Sequence, residues 1–262
     1  MTTKRAFFHT QSYYDQQVED RGQEVVRLDY AVRGERGTTD HLNAWLCQRI
    51  ELLICRYSQG QSREALRASF KATLATLIAK DPVKPLELFE LDTIEHYYLA
   101  LSTFSLAILF EIDDAMFAGL VNVYEDQRAA AGRDRLIDTL IAARITTFSP
   151  VETAIHPSTY EPLLAAIELD DTQERTNRLT LFMTEYDRRL GELSWHKGQW
   201  SGKSRSIGLW SFATAALVKL WRCDDALFER NIFYPSELVR EGGSWGGENP
   251  KPATRIQQAV GA

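Results

Sequence analysis

What this 262-residue chain lacks narrows its class before anything it contains. It has only three cysteines, Cys47, Cys55 and Cys223, and no C-x-x-C pair. An odd, widely spaced set does not make a disulfide framework. The expectation is three reduced thiols in a cytoplasmic protein. No apolar run approaches the ~20 residues that span a bilayer. The two longest, at 99–110 and 210–221, are interrupted by Ser, Thr or Lys. The first residues, MTTKRAFFHTQSYYDQQ, hold two basic side chains but no apolar core of ~7–15 residues such as a secretory signal needs. A membrane role is therefore not expected. Asn-Gly and Asp-Gly turns are absent and no segment alternates cleanly, which leaves little room for β-hairpins. A basic excess is missing too.

The net charge is −6, and it is unevenly spread. Residues 81–126 contain ten acidic side chains against one basic, Lys84, and residues 152–174 contain six acidic side chains and no Lys or Arg. Together these segments carry −15, so the rest of the chain carries +9. A middle this acidic is unsuited to DNA or RNA and suited to a basic partner. The plain alternative is that the carboxylates solvate helix faces and cap N-termini.

The periodicity that is present is helical. Leu42, Trp45, Leu46, Ile50, Leu53 and Ile54 recur at spacings of three and four, as do Leu66, Phe70, Leu74, Leu77 and Ile78. Ser62 followed by Glu64 suits a helix start. Further helical segments are expected at 91–110, 136–145, 160–169 and 179–193. The fold class expected is all-α, a bundle of nine to eleven helices in antiparallel pairs.

LFEIDDAMF at 109–117 and LWRCDDALF at 220–228 echo each other at an offset of 111 residues, and AIELDD at 166–171 is a weaker copy. In each, an apolar helix ends before two aspartates, a pattern that capping of the next helix explains. The echo suggests two related halves. The division expected is an N-terminal helical domain at 1–128, a C-terminal helical domain at 129–242 and a Gly/Pro-rich tail at 243–262. AAAGRD at 129–134 reads as the linker.

Motifs that would carry chemistry fall short. GQWSGKS at 198–204 is one residue short of a phosphate-binding loop and follows a helical segment instead of a strand. WSG at 200–202 is not a nucleophile elbow. Asp92 and His96 share a helix face with Glu95 beside them, but two ligands do not make a metal site. His9, His41 and His156 are isolated. Adjacent aspartates on a helix point about 100° apart, so Asp113–Asp114, Asp170–Asp171 and Asp224–Asp225 are poor chelators. No catalytic constellation, metal or cofactor is expected.

One set of residues points to a family. Trp195 and His196 are followed by Gly208, Trp210, Ser211, Phe212, Ala215 and Ala216, then by Asp224 and Asp225, then by FYPSELV from Phe233 through Tyr234 and Pro235 to Val239. This order resembles the C-terminal domain of the PoNi family, immunity proteins that bacteria pair with PoNe-type DNase toxins delivered by contact-dependent secretion systems. The family pattern is W…H, a GYWSFEAAA-like helix, an apolar-DD ending and a YYPxDLV-like segment. The resemblance is good over 185–242 and loose over the first 125 residues. Leu209 stands where the family commonly has Tyr, and Ala213 where it commonly has Glu, so a shared functional use of this helix does not follow.

The resemblance implies a cytoplasmic protein that binds and neutralises a cognate toxin, without enzymatic activity and without a cofactor. A nuclease is basic where it holds DNA, so the acidic middle is the expected contact, through Glu87, Glu90, Asp92, Glu95, Asp113 and Asp114. From the residues themselves, the stretch at 210–221 reads as a buried core helix, apolar nearly all round, with Trp210, Ala213, Leu217 and Trp221 on one face and with Lys219 and Arg222 reaching toward its C-terminal end. Two other readings stand: an all-α metal-dependent enzyme using Asp92 or His96, and a helical adaptor unrelated to toxins. Trp200 and Trp245 could equally serve a homodimer.

Overall fold

The apolar stripes condense into helices that bury one continuous core. In the computed structural model, residues 4–33, 39–80, 90–124, 132–201 and 206–240 are described, and among them the chain forms eleven helices and no strand. They are α1 (Gln11–Arg33), α2 (Thr39–Gln59), α3 (Arg63–Ala79), α4 (Ile94–Leu109), α5 (Asp114–Tyr124) and α6 (Arg135–Ala142), then α7 (Pro157–Ile167), α8 (Thr172–Arg189), α9 (Ser194–Ser201), α10 (Phe212–Trp221) and α11 (Ser236–Arg240). The all-α class holds. The three-residue connection between α2 and α3, and the four residues between α7 and α8, turn packed neighbours back on each other. The expected domain boundary at 128–129 and the tail at 243–262 lie outside the described residues.

α4 and α10 pack side by side at the centre. Every residue of α4 from Tyr97 to Leu109 is buried, as is every residue of α10 except Lys219. Each helix needs apolar neighbours all round, and α2, α6, α8 and α11 supply them. α1 is built differently. Its buried stripe of Tyr14, Val25, Leu28 and Val32 is interrupted by the buried Gln17 and Arg21, which bond each other at 2.6 Å. Polar contacts add to its docking on α2: Arg21 reaches Glu51 at 3.1 Å, while Asp29 accepts from Trp45 Nε1 at 2.7 Å and Arg49 at 2.9 Å.

The expected boundaries shift at several ends. α4 starts at Ile94, three residues after the expected start, and α8 starts at Thr172, where the Asp171 side chain accepts from the Glu174 N–H at 2.8 Å. Ser62 caps α3 as expected, accepting from Ala65 N–H at 3.3 Å. The largest correction concerns Trp210, which precedes α10 and so shares no helical face with Ala213, Leu217 and Trp221.

The sequence echo has a backbone counterpart. α4 and α10 both end in a non-glycine residue with left-handed φ, Glu111 at 50° and Arg222 at 56°. Ile112 N–H closes on the Ala107 carbonyl and Cys223 N–H on the Val218 carbonyl, each at 3.2 Å and each at the same offset of 111 residues. Beyond these ends the two stretches diverge, since Asp114–Tyr124 is α5 whereas residues 226–230 form turns. Lys219, expected to reach toward its own helix end, instead bonds Glu111 at 2.6 Å and ties the two helix ends together.

The chain enters its second part through two buried carboxylates. Asp134 accepts from Tyr97 OH at 2.9 Å and from the amides of Leu136, Ile137 and Ile155. Asp138 accepts from Tyr124 OH at 3.2 Å and from the amides of Arg133 and Val151. Both are 0% exposed, so Asp134, expected at the end of a linker, is part of the core. Gly132 is required here, because a Cβ at that position would lie 1.8 Å from an Asp138 oxygen. Burial pushes the Asp138 carboxyl up from 3.8 to about 6. A raised carboxyl favours the protonated folded state, so its contribution is full below about pH 4 and lost as pH rises through 6. The stability of the protein minus that of Asp138→Asn should therefore fall by on the order of 2–3 kcal/mol between pH 4 and pH 7, read by urea unfolding at each pH. A pH-independent difference would refute the assignment.

Candidate functional site

The motif residues from Trp195 to Arg240 gather around a glycine in a strained and crowded position. Gly208 has φ +91°, and a Cβ there would lie 2.2 Å from Ser58 Oγ. That serine, at the end of α2, is fully buried. Its hydroxyl donates to the Ile207 carbonyl at 2.8 Å and accepts from Trp210 Nε1 at 2.9 Å. Its carbonyl accepts from the amides of Arg5 and Ala6. From α4, Tyr98 OH donates to the Trp210 carbonyl and accepts from the Trp210 amide, both at 3.0 Å. Trp210 is thus gripped at backbone and ring by two side chains more than 100 positions away.

The remaining motif residues extend this junction. Phe212 and Trp210 both stand edge-on to Tyr57, at 5.4 and 4.8 Å. Tyr57 OH donates to Glu237 at 2.6 Å, and Arg5 pairs with the same carboxylate at 2.5 Å while lying over the Tyr57 ring. Trp195 tilts against Tyr98 with ring centres 5.8 Å apart, and His196 bonds Asp187 at 2.7 Å. Phe233 accepts from the Ser211 amide at 2.8 Å and packs between Phe8 and Tyr186. Tyr234 OH donates to Asp225 at 3.0 Å, and Asp225 also pairs with Arg240. Burial and the Asp225 charge together drive the Tyr234 phenol upward. Asp224 accepts from the Ala226 amide at 3.0 Å, and the buried Pro235 opens the turn into α11. Sequence reasoning grouped these residues, with Glu237 inside FYPSELV, but missed Ser58, Tyr98 and Arg5, for which spacing offers no signal.

The acidic candidates divide by surroundings. Glu87 lies outside the described residues. Glu90 and Asp92 are exposed just before α4, with Glu90 3.8 Å from His96. Glu95 is half-buried and accepts from the Ser194 amide at 3.1 Å, which brings the exposed Glu192 to the same end of the bundle. Asp113 and Asp114 sit beyond the other end of α4, whose 16 residues separate the two groups by about 24 Å. Asp113 accepts from the Met116 amide at 3.0 Å and pairs with Lys71, and these contacts hold its carboxyl below the usual range. Asp114 pairs with Arg144. In the second acidic segment, Glu152 and Glu168 both hold Arg135, and Glu161 holds Arg189. Much of the negative charge in the sequence is therefore answered internally.

Chemistry at these sites is limited. Among the described residues, no group of three or more His, Cys, Asp or Glu side chains is placed to hold a metal, and no helix is long and apolar enough to cross a membrane. Cys47 and Cys55 are buried free thiols that burial pushes up to about 12. His156 bonds the Leu91 carbonyl and His9 stacks on Tyr13, so both serve packing. The side chain of Trp200, residues 202–205 of the GQWSGKS stretch, and Trp245 lie outside the described residues.

Two family profiles match in succession. The N-terminal profile of the PoNe immunity proteins covers residues 5–122, and the C-terminal profile covers residues 132–238. The chain belongs to the PoNe immunity protein family. A solved structure, that of protein PA2201 from Pseudomonas aeruginosa, is similar to it with a TM-score of 0.68 and 20% identity, over 91% of this chain and 90% of the other. That likeness shows a shared fold. No curated relative matches the sequence. The expectation of a loose N-terminal resemblance is superseded, since the family match takes in nearly all the described residues.

The immunity protein joins its two matched segments through the Gly208 junction, with Ser58 and Tyr98 from the first gripping 207–210 of the second. Gly208→Ala should cost about 3 kcal/mol, from left-handed strain plus the collision with Ser58, measured by chemical unfolding. A cost below 1 kcal/mol would show that the junction relaxes freely.

Proposed function

We propose that this immunity protein neutralises a PoNe-type DNase toxin by binding it in the cytoplasm and covering its basic DNA-holding surface. The reading rests on one observation, the consecutive match of both family profiles across the chain. Neutralising a toxin is what membership of the family means; the nuclease and the acidic contact are finer steps. The contact is assigned to the end of the bundle where Glu90, Asp92, Glu95 and Glu192 gather. Glu90 and Asp92 are exposed there, and among the described residues no Lys or Arg pairs with either, whereas the equally exposed Asp113 and Asp114 pair with Lys71 and Arg144. Exposed, unanswered charge speeds encounter with a basic surface, and tight binding then draws on buried contacts.

The test pairs this chain with the toxin encoded beside it. Co-expression should yield a complex of fixed stoichiometry that no longer degrades DNA. A complex that leaves DNA cleavage intact would reject a nuclease target. Within that complex, reversing both Glu90 and Asp92 to Lys should slow association about tenfold at low salt and little at high salt. Reversal of Asp113 should instead lower the melting temperature of the free protein, because it caps α5. An unchanged association rate in the folded Glu90→Lys, Asp92→Lys variant would remove the acidic contact.

A further inference from the structure

The N-terminus of α10 is buried and lacks a side-chain cap. Its N-cap residue, Ser211, makes no capping hydrogen bond, because the Ser211 hydroxyl is paired with Thr214 at 2.7 Å. The first amides of a helix have no partner within the helix, so those of Phe212 and Ala213 point out of its end. In front of them is a small cavity with room for one water-sized guest, lined also by Tyr98, Ser102, Tyr160 and Tyr186. Tyr160 and Tyr186 are each 2% exposed, and the Tyr160 hydroxyl has no hydrogen-bond partner among the described residues. The Tyr186 hydroxyl pairs with that of Tyr98, which also bonds Trp210. An orphaned hydroxyl and orphaned helix amides thus face one space.

We propose that this cavity is a binding site for a single ordered water molecule, which accepts from the first amides of α10 and bonds the hydroxyl of Tyr160. Water suits the site because its partners include groups that both donate and accept, and because two to four polar partners are what a buried water requires. An anion would also accept from the amides. No cation lines the cavity, however, and an uncompensated buried charge is far more costly than a neutral guest. The water would complete the cap of the central helix at the point where α4, α7, α8 and α10 meet, with Tyr98 from the first matched segment and the other groups from the second.

Removal of the Tyr160 hydroxyl tests the site by the sign of the effect. A hydroxyl that is truly unpaired destabilises the fold, so its replacement by Phe would raise the melting temperature. A hydroxyl that holds a water loses a bond, and Tyr160→Phe should lower the melting temperature by about 3 °C. A high-resolution crystal structure should show one solvent peak within hydrogen-bond distance of Tyr160 Oη and an α10 amide. Crystals grown in bromide should give no anomalous peak there. Unchanged or raised melting temperatures, an empty cavity or a bromide peak would each overturn the proposal.

Discussion

The structure depends on the grip that Ser58 and Tyr98 hold on the backbone and ring of Trp210. Residues 207–211 carry the chain into α10 through the middle of the protein, away from bulk water, where buried peptide groups need built partners. Two side chains from distant helices take over that task, one bonding the Ile207 carbonyl and the Trp210 indole, the other both polar groups of the Trp210 backbone. The approach is so close that only glycine fits at 208. Buried polar contacts of this kind add little net stability when complete and cost a great deal when broken, so they specify one arrangement. Once the segment is held, α10 is aimed along α4, and the aromatic residues of α7, α8 and the N-terminal segment close around them.

The same economy of internal pairing governs the charges. The acidic bias of the sequence suggested a broad negative face, yet caps, ion pairs and buried carboxylates absorb much of it. Asp134 and Asp138 contribute nothing to the surface, since they bind the amides that begin the second half of the chain. Glu152, Glu168, Asp113 and Asp114 stay exposed but each pairs with an Arg or Lys, whereas Glu90 and Asp92, before α4, pair with neither among the described residues.

Legibility followed the physics of each signal. Apolar spacing located α2, α3 and α4 because a helix with one wet face must repeat every three to four residues. At α1 the stripe of Tyr14, Val25, Leu28 and Val32 is interrupted by the buried Gln17 and Arg21, which hides it, and apolar spacing carried the α10 reading two residues too far, to Trp210. The aspartate pairs were correctly suspected of capping at Asp113 and Asp171, where the next helix begins directly. Ser58 and Tyr98 gave no warning, because a serine ending one helix and a tyrosine inside another resemble dozens of others until the chain brings them to residue 210.

The amino-acid sequence by itself determined the all-α class, the helices with apolar stripes, and a family resemblance carried by Trp195, His196, Gly208, Trp210 and the FYP segment. Those are local properties, set by side chains near one another in the chain. Only the tertiary structure decided which carboxylates face solvent, why residue 208 is glycine, and where the tyrosine hydroxyls of α4, α7 and α8 converge. Each of those depends on groups far apart in sequence meeting at hydrogen-bond distance, and periodicity carries no record of such meetings.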